Sequence, residues 1–245
     1  MTADDQPIPS VWTRPQRGRR DQPALSRDQI VAEAIRLLDA EGIDALSMRK
    51  LGTRLGAGAT SLYRHVTNKD ELIELVLDEV YGELRVPTVD DSAAWREAVA
   101  QSAHSVRTMI LRHPWTASVL GAAGTAYLGP NLMRLSEDML AMLESAGFTL
   151  EEANHALTTV TAYVIGMTTA EAAMLTMLTR SGRTETEWAE QVLEAGRQAV
   201  ATYPRLSALY AAHIGKDPQR TREEDFDHGL DRILDGLAAA RGDKG

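Results

Sequence analysis

Residues 42–72 read GIDALSMRKLGTRLGAGATSLYRHVTNKDEL, and their spacing decides the fold. Met48, Leu51 and Leu55 recur at helical intervals, which predicts a short helix over 47–55 with one apolar face. Gly56-Ala57-Gly58 follows, and glycine supplies the positive φ values that a sharp bend between helices needs. A second short helix over 59–65 turns Leu62 inward, with Val66 just beyond it. That leaves Thr60, Ser61, Tyr63, Arg64 and His65 facing outward, and Lys69 opening the next helix behind Asn68. Two short helices across a tight glycine turn are the layout of a helix-turn-helix DNA reader.

Upstream, Ser26 and Gln29 form a capping box that starts a first helix. Its inner stripe is Ile30, Ala34, Leu37, Leu38 and Glu41, and Gly42 ends it. The helix after Asn68 carries Leu72, Leu75, Val76, Glu79 and Val80 towards Val86, where Pro87 stops it. Further helices are predicted near 92–112, 114–121, 130–146, 150–179, 185–202 and 222–241. Pro114, Gly129-Pro130, Gly147, Ser181-Gly182 and a loop region from Pro204 to Pro218 separate them. No alternating strand pattern, heptad run or internal repeat interrupts the series, so the fold class is all-α.

Composition narrows the function classes. Of 245 residues 44% are hydrophobic but only 5% aromatic, so the core is aliphatic and alanine-rich. Cysteine is absent, which excludes disulfides and thiolate metal sites and fits a reducing cytoplasm. Met1–Ser10 is acidic and contains proline, unlike a secretory leader. Ala153–Ala170 lacks charge but holds Asn154, His155 and five threonines, too polar for a minimal lipid-facing span, so a buried or interfacial helix is expected. The net charge of −9 is unevenly spread: residues 1–70 carry 11 basic and 9 acidic side chains, the remainder 15 and 26. The acidic bulk keeps the body off DNA and leaves the N-terminal head to approach it.

Gly42-Ile43, Arg49-Lys50-Leu51, Leu55-Gly56, Leu62-Tyr63, His65-Val66 and Asn68-Lys69, in this order and spacing, resemble the DNA-binding head of the TetR (tetracycline repressor) family. Arg112-His113-Pro114-Trp115, Gly129-Pro130 and the stretch from Glu144 to Gly166 resemble its C-terminal half less specifically. The resemblance implies an N-terminal three-helix helix-turn-helix head followed by a C-terminal helical ligand-binding and dimerisation domain. The expected division is a basic arm without fixed structure over 1–24, the head over 25–70, a connecting helix over 71–87, and the effector-binding and dimerisation domain over 88–245.

Sorted by chemistry, Ser47, Tyr63, His65 and Lys69 are phosphate candidates, being hydroxyl or cationic groups at the rim of the reading helix. Arg49, beside Lys50, suits a bidentate contact to guanine, and Thr60, Ser61 and Arg64 are the other base-edge candidates. Tyr63 could instead pack on the head's core. Arg14, Arg17, Arg19 and Arg20 form either an arm for the minor groove or a solvated tail. Gly58 and Ala59 stand where the tetracycline repressor has longer polar residues, so base contacts there are weak and the operator cannot be carried over. Gly52 occupies a position where a small residue is usual, as a close helix crossing would require.

A single head buries little surface, so a two-fold dimer is expected. Its candidate elements are the helices at 150–179, through Leu157, Val160 and Val164, and 222–241, through Phe226, Leu230, Ile233, Leu234 and Leu237. The second stripe either meets a partner in a four-helix bundle or packs on its own subunit. On helices the family uses for effectors, His104, Met109, Trp115, Met133, Tyr163, Met167 and Met174 are candidate pocket residues or plain core. The tetracycline repressor holds its drug-bound magnesium through a histidine in the segment matching Thr116–Gly121, where this chain has no ligating side chain. An apolar or cationic effector therefore remains open, and no cofactor or metal is expected.

Glu152 with His155, echoed by Asp225 with His228, sketches a di-iron bundle, but only one exact copy is present and both pairs open helices, where acids complement the dipole. Phosphate-binding loops, dinucleotide fingerprints and nucleophile elbows are absent, so no enzyme is expected. A helical protein-binding adaptor without operator-specific DNA binding is the alternative to a cytoplasmic, homodimeric repressor that binds double-stranded operator DNA and a small-molecule effector.

Overall fold

The computed structural model describes residues 25–87, 94–123 and 129–242. The arginine arm lies outside these residues. Eleven α-helices, and no strand, occur among the described residues. The chain divides into two compact units at Thr168–Thr169, a point inside one long helix.

The first unit begins with α1 (Arg27–Glu41), whose capping box between Ser26 and Gln29 forms as predicted. Gly42, at φ 80°, ends it. Ile30, Ala34, Leu37 and Leu38 are buried, whereas Glu41 turns outward to Lys50. A single 3-10 turn, Ile43–Ala45, leads into α2 (Met48–Arg54), capped by the Ser47 hydroxyl. Of the turn glycines only Gly56 needs its freedom, at φ 62°; Gly58 is extended at φ −70° and caps nothing with a side chain. Gly52 is required by a close crossing, since a Cβ there would lie 2.7 Å from the Ala57 carbonyl and 3.3 Å from Leu62 Cδ1. The reading helix α3 is shorter than expected, Ala59–Leu62, and continues as a tight turn to Val66 through bonds to the Leu62 carbonyl.

Helix α4 (Lys69–Tyr81) starts on an Asn68 cap and stops five residues before its predicted end. The Gly82 N–H donates to the Asp78 and Glu79 carbonyls and closes the last turn, and Gly82–Pro87 then runs without regular structure. Leu72, Leu75, Val76 and Val80 are buried as the periodicity implied, but Glu79 is exposed and Asp78 buried. α5 (Trp95–Arg112), α6 (Trp115–Ala123) and α7 (Pro130–Ser145) follow, then α8 (Leu150–Ser181). Trp95 packs edge-on to Phe148 at 5.0 Å.

The second unit holds the rest of α8, then α9 (Glu185–Val200), α10 (Pro204–His213) and α11 (Pro218–Gly242). The predicted loop between Pro204 and Pro218 is mostly helical. Each proline opens a helix, where its missing N–H costs nothing, so a residue read as a breaker is an initiator. Arg222 bonds Glu171 at 3.0 Å and pairs with Glu185, and Tyr210 of α10 lies against Gly196 of α9.

Candidate DNA-reading face and ligand cavity

The outward side of α2 and α3 separates cations by what holds them. Arg49 and Arg64 are exposed, and their side chains make no hydrogen bond or ion pair among the described residues. Lys50, by contrast, reaches back to Glu41, whose carboxyl this bond holds below its ordinary value. Arg54 lies 3.5 Å from Glu33. Ser47 accepts the Lys50 backbone N–H at 3.2 Å, which anchors its hydroxyl at the start of α2. Thr60 is exposed; Ser61 and His65 are half-buried. Tyr63 is 52% exposed, so the alternative in which it packs on the head's core is not realised. Lys69 is half-buried, and its ammonium lies 3.5 Å from the Ile43 carbonyl, at the outer limit of a hydrogen bond.

Below the head, α4, α5, α7 and α8 enclose a mainly apolar cavity of about 150 Å³. The end of α4 and the residues after it supply Tyr81, Leu84 and Arg85; α5 supplies Val99, Ala103 and Val106. Leu135 and Met139 of α7 face Leu157, Val160 and Val164 of α8 across it. These three α8 residues, predicted at the dimer face, thus turn into their own chain, because α8 uses that stripe to close the cavity. In α11, Phe226, Leu230 and Leu234 are likewise buried within the chain, with Ile233 and Leu237 half-buried.

The sequence-predicted pocket residues fall elsewhere. His104 and Met109 line a separate open groove of about 280 Å³ with Glu83 and Arg112. Trp115 is buried and hydrogen-bonded; Met133 and Met167 are exposed, and Tyr163 and Met174 half-buried, and none of these five lines the cavity. The cavity wall is mostly branched aliphatic and alanine, which sequence cannot tell from ordinary core. Arg85 could have been found only by knowing that α4 stops at Tyr81.

Two polar joints tie α1 of the head and the connecting helix α4 to this body. Asp39 of α1 accepts the Trp115 indole N–H at 2.8 Å and sits 2.7 Å from His113 Nδ1, while His113 Nε2 is 3.2 Å from Glu83. Asp78 of α4 accepts the backbone N–H groups of Asn131 and Leu132 at 3.0 and 3.2 Å, capping the first turn of α7. Burial nonetheless raises the Asp78 carboxyl above its ordinary value. Glu152 serves as a cap for Thr149, at 2.8 Å, and among the described residues no cluster of three or more ligating side chains could hold a metal.

An outward face with unpaired arginines on a glycine-turned helix pair, joined by one helix to an apolar cavity, defines a DNA-binding regulator with a ligand domain. Comparison with known proteins places it further. Residues 30–76 match the bacterial regulatory proteins of the tetR family, and residues 87–241 match the tetracyclin repressor-like C-terminal domain. The chain belongs to the TetR family. It is 37% identical over 236 residues to an HTH-type transcriptional regulator of Saccharopolyspora erythraea, covering 95% of this chain and 93% of that one. It is 34% identical over 234 residues to the transcriptional repressor DrrR1 of Streptomyces coeruleorubidus, covering 91% of this chain and 80% of that one. Among solved structures, ActR of Streptomyces coelicolor superposes with a TM-score of 0.72 at 33% identity, over 92% of this chain and 100% of that chain; ActR is also solved in complex with actinorhodin. The protein is therefore a ligand-responsive, DNA-binding transcriptional regulator that acts as a dimer, and the adaptor reading gives way.

Proposed function

We propose that the protein is a cytoplasmic repressor that leaves a palindromic operator when a small organic molecule enters the α4–α5–α7–α8 cavity. The observation that carries this reading is that one helix has both ends at working surfaces. α4 starts at Lys69, beside the reading face, and its C-terminal residue Tyr81 lines the cavity. Thirteen residues make a rod about 20 Å long, so a small displacement at Tyr81 swings the head. Two heads must match major grooves about 34–36 Å apart, and a change in their separation lowers affinity for the operator.

On the reading face Arg49 takes a base edge and Arg64 and Thr60 assist it. Ser61 joins them at the base edges, while Ser47, Tyr63, His65 and Lys69 grip phosphates. Lys50 acts within the head through Glu41. The dimer contact is the side of α8 that carries Thr158, Thr159, Ala162 and Gly166, all exposed in the single chain. Only 22% of the most apolar window of α8 is buried, and a Cβ at Gly166 would meet nothing within 4 Å of this chain. An apolar helix left bare in one chain finds its cover in a second copy. The division proposed is a head over 25–70, a connecting segment over 71–87 and an effector and dimerisation domain over 88–245; matches over 30–76 and 87–241 support it.

Selection of binding sites from a random duplex pool by the purified protein, at stated near-physiological salt, tests the reading. Enrichment of a palindrome is expected. A folded, dimeric protein that enriches no sequence would overturn operator-specific repression.

A further inference from the structure

We infer that the effector carries an acidic group, a carboxylate or an equivalent anion, on an apolar body, and that Arg85 reads it. This rests on the cavity being the effector site. Among the described residues lining that cavity, Arg85 is the one with a charge. It stands exposed at the rim, while the interior is aliphatic around Ala103, Leu135 and Val160. An apolar body gains from entering such a cavity whatever its charge, but a charged group there must be paired. The rim can pair an anion and repels a cation.

The guanidinium is also held ready. Its Nη1 donates to the carbonyls of Gly82 and Leu84, at 2.5 and 2.7 Å, just past the end of α4. Its Nε–Nη2 edge, the side that meets a carboxylate with two parallel bonds, makes no hydrogen bond among the described residues. Neighbouring carboxylates are committed elsewhere. Glu83 turns to Arg112 and His113, Asp78 to the amides of α7, and Asp138 to Arg134. Arg134 itself reaches the Leu84 carbonyl at 3.3 Å, but Asp138 already balances its charge, which leaves Arg85 as the cation the rim offers. Because Arg85 is tied to carbonyls at the end of α4, an acid docked on its free edge pulls on the helix that carries Lys69.

Two probes with one aromatic body separate the possibilities: 1-naphthoate, an anion, and 1-naphthamide, its neutral amide. Their dissociation constants for the full-length protein are measured by ligand-observed NMR, with circular dichroism confirming each variant's fold. Wild type is expected to bind the anion more tightly, and Arg85→Met to weaken it about tenfold while leaving the amide within about twofold. Arg85→Lys should fall between, keeping charge but not the fork. Equal binding of the two probes by wild type, or an anion affinity unchanged in Arg85→Met, overturns the inference. Leu157→Trp, which fills the cavity, should abolish both; if it leaves both intact, the cavity reading itself fails, whatever Arg85 does.

Discussion

The Asp78 carboxylate lies 3.0 Å from the backbone nitrogen of Asn131, so a side chain of α4 serves as the N-terminal cap of α7. Gly129 makes room for this joint, since a Cβ there would fall on the Asp78 carboxylate. The contact fixes α4 close to the place where it meets the cavity, which makes it the fulcrum of the proposed motion.

Removing the cap with Asp78→Ala should cost about 1–2 kcal/mol of stability in urea unfolding. The pH dependence has a definite sign. Burial raises this carboxyl above its ordinary value, so folding favours its protonated form. Its contribution is then fullest below the unfolded value and is lost as pH rises through the folded one. Stability of the wild type relative to Asp78→Asn should fall as pH rises from below the ordinary aspartate value through the raised one. A gap that grows with pH would mean that the amide bonds to the ionised carboxylate outweigh its burial.

The reading face gives three separable outcomes in operator titrations. Arg49→Ala should relax base preference by about 1–3 kcal/mol at one position. Lys69→Ala should weaken all sequences alike and lower the salt slope by about one contact. Lys50→Ala should do neither to the same extent, because Glu41 already holds that ammonium. Equal loss on every sequence from Arg49→Ala would make Arg49 a backbone contact.

Gly52→Ala places a methyl 2.7 Å from the Ala57 carbonyl. Backbone must move to admit it, so a loss of about 1–3 kcal/mol is expected, seen as a lower melting temperature together with lost operator binding. An unchanged melting temperature would show that α2 and α3 can separate freely.

Gly166→Arg tests the dimer face. Nothing in the same chain lies within 4 Å of the new Cβ, so the monomer should fold with an unchanged circular dichroism spectrum. Sedimentation should show dissociation, with operator affinity falling as the second head is lost. A variant that stays dimeric would place the interface elsewhere.

Trp115→Phe keeps an aromatic ring but removes the pyrrole half of the indole, and with it the 2.8 Å bond to Asp39. The lost bond should cost about 1 kcal/mol and the space left at this buried site should add to it, so urea unfolding should show a loss above about 1 kcal/mol. The same variant should weaken the effect of ligand on DNA affinity, since it loosens α1 from the body. Unchanged coupling would show that α4 alone carries the signal.

Local chemistry made much of this protein legible from its sequence. Capping at Ser26, the bend at Gly56, the inward run of Leu51, Leu62 and Val66, and the start of α4 at Asn68 all depend on residues a few positions apart. Such short-range signals survive without knowledge of the rest of the chain, and they were enough to define an all-α protein with a helix-turn-helix head. Tertiary structure decided what lies beyond that range. Lys50 and Arg49 are adjacent cations with the same sequence credentials, and only the position of Glu41 assigns one inward and leaves the other bare. Leu157, Val160 and Val164 form a stripe that suits either a partner or a cavity, and packing against α5 and α7 chose the cavity. Pairing and enclosure depend on residues far apart in the chain, so periodicity can say that a face is apolar but not what covers it.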